Sequence, residues 1–275
     1  MCVYVDNYNF NDMYLRKIGH SSLGMTNKYF KDNYWYKQNL RGYEGLSEEI
    51  CSMILKNSNI SNFVSYEQCT INNIPGCRSK NFINDTEALV TFQRLYNLTY
   101  GGSLKNKIAT YSTIDDKVNY VIDFIEEYTG FNCFDYLSNN MYFDMLTLNV
   151  DRHFGNLALI CDDNGNWKPS PMFDFGASFF SMQHVFKPEM NLTDKYSIMT
   201  PQPFSGSFEE QAKYFGKPNI KLNYNQIPED LQNIEGITSE LTELIHIQLD
   251  KYKDIFPDLS KENKMHRRIN NLLSR

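Results

Sequence analysis

The sequence predicts a two-lobed α+β fold, with a small strand-rich lobe carrying one helix over residues 1–85 and a larger, mainly helical lobe over 86–275. Three observations carry this expectation. Short Tyr- and Phe-rich runs alternate with turn residues in the first part of the chain. After Asp85 the apolar residues move to helical spacing. Beyond residue 150, two short apolar runs sit among aspartates, a histidine and an asparagine. With 275 residues, 41% of them hydrophobic, the chain can bury a core without disulfide staples.

The elements follow in order. YLRKIG, KYF and NYWYKQN read as strands suited to a pleated surface. Ser47 then caps a helix over SEEICSMILKN, with Glu48 and Glu49 in its first turn, where the helix dipole favours acids. NFVSYEQCTI and CRSKNFI read as two more strands, split by the turn signal NNIPG. TEALVTFQRLYNLT, DKVNYVIDFIEEYTG and FDYLSNNMYFDMLTLNV read as helices, the last leading into Asp151. LALIC and WKPSPMF form a hairpin, and Asn164-Gly165 between them is the favoured pair for a type I′ turn. A Pro-rich loop around MTPQPFSGSF, a helix FEEQAKYF and a pair of helices from about Pro228 to Ser274 complete the chain. CRSKNFINDTEAL falls between the lobes, where a hinge is expected.

The chemistry lies in the hairpin. Asp151 and Asn156 precede its first strand and Asp174 ends its second, so folding brings three oxygen-bearing side chains to one end. Such a set suits Mg²⁺, which takes one or two carboxylates and completes its shell with phosphates and water. In protein kinases a catalytic Asp accepts the substrate hydroxyl, an Asn five residues later holds metal, and the Asp of Asp-Phe-Gly holds metal against the phosphates. Asp151, Asn156 and Asp174-Phe175-Gly176 have that order and spacing. The same logic needs a strand lysine paired with a helix acid, and Lys37 and Glu48 stand in place, with Glu44 and Glu49 competing for the second role. Upstream, Gly19, Ser21, Ser22 and Gly24 occupy a turn-rich link able to approach phosphates, although it matches neither G-x-G-x-x-G nor the Walker pattern. His153 reads either as a donor to the transferring phosphate or as a brace for the loop, and Arg152 either as a surface charge or as the partner of a phosphorylated loop.

DRHFGN followed by DFG resembles the catalytic loop and metal motif of the phosphoinositide-kinase-like superfamily. With the YK strand and the GYEGLSEE helix start, the chain is most similar to the compact HipA-like and CtkA-type serine/threonine kinases of bacteria. The resemblance runs from about Lys17 to Phe180. It implies a protein-kinase-like fold and ATP- and Mg²⁺-dependent transfer to Ser or Thr hydroxyls of a protein substrate. Asp151 becomes the catalytic base, and Asn156 and Asp174 the Mg²⁺ ligands. Lys37 and Glu48 become the phosphate-contacting pair, and Gly19 to Gly24 the loop over the phosphates, with Ser21 and Ser22 as autophosphorylation sites. The chain departs from HipA in carrying Phe-Asp-Phe-Gly at the metal motif and in lacking HipA's extra N-terminal domain.

Other function classes stay open at this stage: a nucleotide-binding regulator without turnover, or a kinase for a small-molecule or lipid hydroxyl. The net charge of -6 argues against direct nucleic-acid binding and against an anionic membrane surface. No apolar run reaches the length of a membrane helix, and the N-terminus is unlike a signal peptide, so a cytoplasmic location is expected. The six cysteines, Cys2, Cys51, Cys69, Cys77, Cys133 and Cys161, form no CxxC pair and are expected to be reduced and mostly buried.

Overall fold

The computed structural model describes residues 6–10 and 27–260. Its first body is a five-stranded sheet in the order β1-β4-β5-β3-β2, built from β1 (Asn7–Tyr8), β2 (Lys28–Lys31), β3 (Tyr34–Gln38), β4 (Tyr66–Ile71) and β5 (Ile74–Lys80). β1 runs parallel to β4, and the other pairings are antiparallel. The aromatic content of these strands serves both faces. Tyr29 and Tyr36 pack with Tyr8, Phe10, Cys69 and Ile71 on the outer face, while Trp35 and Lys37 alternate to the inner one. The β4–β5 turn is Asn72-Asn73, both at positive φ, so β5 starts at Ile74 and contains Pro75, earlier than the NNIPG reading placed it.

Helix α1 (Glu44–Lys56) starts three residues before the expected cap, after Tyr43. Ser47 is therefore an interior, fully buried position, and its hydroxyl donates to the carbonyls of Phe175 and Ser178, 3.1 Å from each. That bond draws α1 onto the other lobe. Leu46, Ile50, Cys51, Ile54 and Leu55 join one continuous core with the helical half of the molecule.

The segment at 86–99 is a correction to the helical reading. Its first part is strand β6 (Glu87–Thr91), and only Phe92–Tyr100 is helix, α2. β6 pairs antiparallel with β7 (Ala158–Asp162), which pairs with β8 (Trp167–Pro169) to give a three-stranded sheet. Thr91 closes the strand and caps the helix, accepting from the Arg94 amide. The β7–β8 turn also differs from expectation. Gly165 alone has positive φ, its amide donates to Asp162 O, and Asn166 O accepts from Asp162 N. This is a type I turn followed by a glycine bulge.

The rest is helical: α3 (Leu104–Ile108), α4 (Ile114–Thr129), α5 (Phe134–Thr147), α6 (Leu192–Ser197), α7 (Phe208–Lys213), α8 (Gln226–Leu231) and α9 (Ser239–Tyr252). α5 is buried on nearly all sides, and even its polar residues Ser138, Asn140, Asp144 and Thr147 lie inside. It ends at Leu148 in the left-handed conformation, releasing the chain toward Asp151. The architecture is the expected two-lobed α+β fold. Among the described residues no helix is long and apolar enough to cross a membrane. Cys51, Cys69, Cys77 and Cys133 are buried free thiols, and Cys161 is half-buried.

Candidate functional site

Strand alternation aims Lys37 of β3 inward, under the N-terminal part of α1. Its ammonium donates to Glu48 Oε1 and, at 2.7 Å, to Asp174 Oδ1. The second Glu48 oxygen accepts from the Phe175 amide at 2.8 Å, so this carboxylate bridges the strand lysine and the Asp-Phe-Gly motif. Burial pulls the Lys37 pKa down, but Asp174 and Glu48 together carry it well above the ordinary lysine value. Burial would push Asp174 up, and Lys37 followed by Lys28 instead drives it far below the carboxylate range. Glu48 is raised by burial and pulled down by Lys37. Both of its oxygens accept hydrogen bonds, the arrangement of an ionised carboxylate. Tyr66 completes the floor: its hydroxyl accepts from the Asp174 amide at 3.2 Å, and Lys37 Nζ lies 5.5 Å from its ring centroid.

Asp151 follows the end of α5. Its amide donates to Asn149 Oδ1, and Asn149 in turn donates to Asp144 Oδ1 at 2.8 Å. Arg152 turns away from the cleft into the core. It pairs with both oxygens of Asp144 and donates to the carbonyls of Asn156 at 3.1 Å and Phe173 at 2.6 Å. Both charged side chains are fully buried. One guanidinium thus ties the loop holding Asp151 to the residue before Asp174, which lies five residues beyond the end of β8 and not at the strand end expected, and neither surface reading of Arg152 survives.

Asp151 itself is open, with 53% of its side chain exposed. Within the cleft, burial raises its pKa against the pull of His153. Asn156 lies below it and donates to Asp151 O at 2.9 Å, while its own Oδ1 is buried without a hydrogen-bond partner. His153 Nδ1 accepts from the Gly155 amide at 3.0 Å, which leaves Nε2, 4.0 Å from Asp151 Oδ2, to carry the proton of the neutral ring.

Lys28, Lys37, Glu48, Asp151, His153 and Asp174 are among the residues lining one cleft of about 450 Å³, while Asn156 lies buried behind Asp151. A smaller apolar slot, walled by Trp35, Tyr66, Phe82, Ile83, Leu89 and Phe173, adjoins it at Lys37 and Asp174. Phe82 and Ile83 belong to the interlobe segment read as a hinge, and Trp35 Nε1 anchors that segment through Asn81 Oδ1. Neither Glu44 nor Glu49 pairs with Lys37: Glu44 lines the cleft but accepts from loop amides, and Glu49 accepts from Gln68. Gly19, Ser21, Ser22 and Gly24 lie outside the described residues. Sequence reasoning missed Lys28 and the Asp144-Asn149-Arg152 group. Lys28 is directly opposite Lys37 in the β2–β3 register, a signal visible only once the pairing is known. Asp144 stood out as an acid inside an otherwise apolar helix stretch.

No protein-family model and no curated protein matches the chain. Among solved structures it is similar to the Helicobacter pylori proinflammatory kinase CtkA, with a TM-score of 0.62 and 18% identity over 91% of this chain and 95% of that one. A looser likeness, with a TM-score of 0.47 and 13% identity over 84% of this chain and 64% of that one, is to HipA from the toxin–antitoxin complex of Shewanella oneidensis MR-1 with HipB and operator DNA. The likeness to CtkA runs along nearly the whole of both chains, and this chain shares the two-lobed fold of that kinase.

Proposed function

We propose that the protein is an ATP- and Mg²⁺-dependent kinase transferring the γ-phosphoryl group to Ser or Thr hydroxyls. The observation that carries this reading is the convergence of Lys37, Glu48, Asp174 and Asp151 on one cleft, with Asn156 bonded to the Asp151 carbonyl and its own Oδ1 buried and unpartnered. A buried amide oxygen without a donor is costly, and a cation next to it removes that cost. Asp174 is held ionised, as a ligand for a hard cation must be. Among the described residues no three His, Cys, Asp or Glu side chains form a closed metal cage. Two protein oxygens completed by phosphate and water remain the fitting arrangement, with Asn156 and Asp174 as the holders.

Bound Mg²⁺ would neutralise charge on the nucleotide phosphates. Lys37 adds a fixed positive charge at the same place, and Glu48 keeps its ammonium directed there. The apolar slot suits a flat purine between Trp35, Phe82 and Phe173. Asp151 faces the open end, where its carboxylate accepts the proton of an incoming hydroxyl. His153 supports Asp151 from the Nε2 side, and the buried Arg152 holds the loop in register with Asp174. The activity in CtkA's name supports the same reading.

Incubation with labelled ATP and Mg²⁺ tests it. The wild-type chain should label itself or an added protein, and Asp151→Asn should lower that rate by about 100-fold or more, the scale of a lost general base. Equal labelling of the two proteins would remove Asp151 from the proposed role.

A further inference from the structure

Residues 39–43, between β3 and α1, form a lip that crosses the cleft mouth and rests on the opposite lobe. Glu44 holds the lip from below: Oε1 accepts from the Arg41 amide at 2.6 Å and the Leu40 amide at 3.3 Å, and Oε2 from Gly42 at 3.0 Å. From the far side, the Tyr43 amide donates to Ser181 O at 3.3 Å and the Tyr43 hydroxyl to Phe179 O at 2.7 Å. Gly42 sits so close to that segment that a Cβ would lie 1.9 Å from Ser181 O. The backbone carrying Arg41 is therefore fixed by both lobes.

Arg41 lines the cleft together with Asp151, His153 and Met182, and its Nη1 lies 3.7 Å from Met182 Sδ. The two lysines of the cleft serve the other end: Lys37 is held between Glu48 and Asp174, and Lys28 is buried within the field of Asp174. Among the described residues Arg41 is the guanidinium that shares the cleft lining with Asp151 and His153, on the acceptor side, where an incoming anion would take over from its present contacts.

We propose, resting on the kinase reading above, that Arg41 selects the acceptor, favouring a Ser or Thr flanked by an anionic group. A carboxylate from a neighbouring Asp or Glu, or a phosphate already present on a neighbouring residue, pairs with the guanidinium fork. The chain's net charge of -6 offers no general attraction for an acidic peptide, so a local cation has to supply the recognition.

The test measures kcat/KM of the full chain, with ATP and Mg²⁺, for one Ser peptide flanked in turn by Asp, phosphoserine, Ala or Lys. The wild type should favour the anionic flanks over Ala by about tenfold, the scale of one hydrogen-bonded charge. R41Q should bring that ratio toward one, R41E should invert it in favour of Lys, and R41K should keep part of it. The contrast between Asp and phosphoserine distinguishes the two sources of negative charge. A wild-type enzyme without flank preference, or a preference that R41Q and R41E leave intact, overturns the assignment while the kinase reading stands. A raised KM for ATP with unchanged peptide ratios places Arg41 on the nucleotide and overturns it too. Failure of the wild type to transfer to any peptide removes the kinase reading and this inference with it.

Discussion

Asp151 shows how much one environment changes a residue. The motif made it legible as a candidate base, but its raised pKa comes from the cleft walls, which no linear pattern displays. The sign of the effect is definite. A carboxylate whose folded pKa exceeds its unfolded value lends stability below the unfolded pKa and loses it as pH rises through the folded one. Asp151 at neutral pH therefore burdens the fold, and Asp151→Asn should melt no lower than wild type while losing transfer. The acid limb of kcat/KM should fall above the ordinary Asp value of about 4 and should come from ionisation of this group. A pH–rate profile with its acid limb at or below that value would contradict the assignment. Arg152 teaches the converse lesson. Beside Asp151 in sequence it reads as a surface charge, yet it is fully buried against Asp144. Its role is positional, because the four acceptors it binds lie 4 to 21 residues away in the chain.

Elements were legible where one periodicity governed them and misread where two met. The strand over Tyr34–Gln38 and the helix over Ile114–Thr129 matched their patterns, since the strand alternates its side chains between two faces and the helix buries one stripe of Val118, Val121, Ile122, Phe124 and Ile125. Residues 86–99 mixed a strand period with a helix period, and the strand emerged only through pairing with Ala158–Asp162. The start of α1 was misplaced because Ser47 resembles a cap, while its hydroxyl is engaged across the lobe interface. Close approach is a second feature hidden from periodicity. Gly76 of β5 packs so tightly that a Cβ would lie 2.1 Å from Lys37 O, and Gly45 of α1 approaches Gly76 O within 2.5 Å by the same measure. Gly76→Ala should cost about 3 kcal/mol or more and displace the strand carrying Lys37. Gly101→Ala, at positive φ with open space around it, should cost about 1–2 kcal/mol. Chemical denaturation of both variants checks the order, and equal losses would contradict the packing described here.

At the scale of the whole molecule, the order of parts was readable because it follows the kinase pattern that the sequence resembles: a strand lysine, a helix acid, then a hairpin followed by Asp-Phe-Gly. What stayed hidden was how the parts are joined. If nucleotide and metal bind in the cleft, ligand in hundred-fold excess should stabilise the fold by about 2.7 kcal/mol, raising the melting temperature by about 5–10 °C. The gain should need Mg²⁺ and should shrink in Asn156→Ala. A shift of equal size without Mg²⁺ would separate nucleotide binding from these two residues. Helix α1 belongs by packing to both halves, since its apolar side enters the common core and Ser47 and Glu48 bond to Phe175 and Ser178. Protein kinases commonly gate activity through the placement of this helix. Here it acts as a keystone rather than a door: swinging it outward would tear buried surface and unpair a carboxylate at once, so any rocking of the halves must flex at residues 81–86 instead.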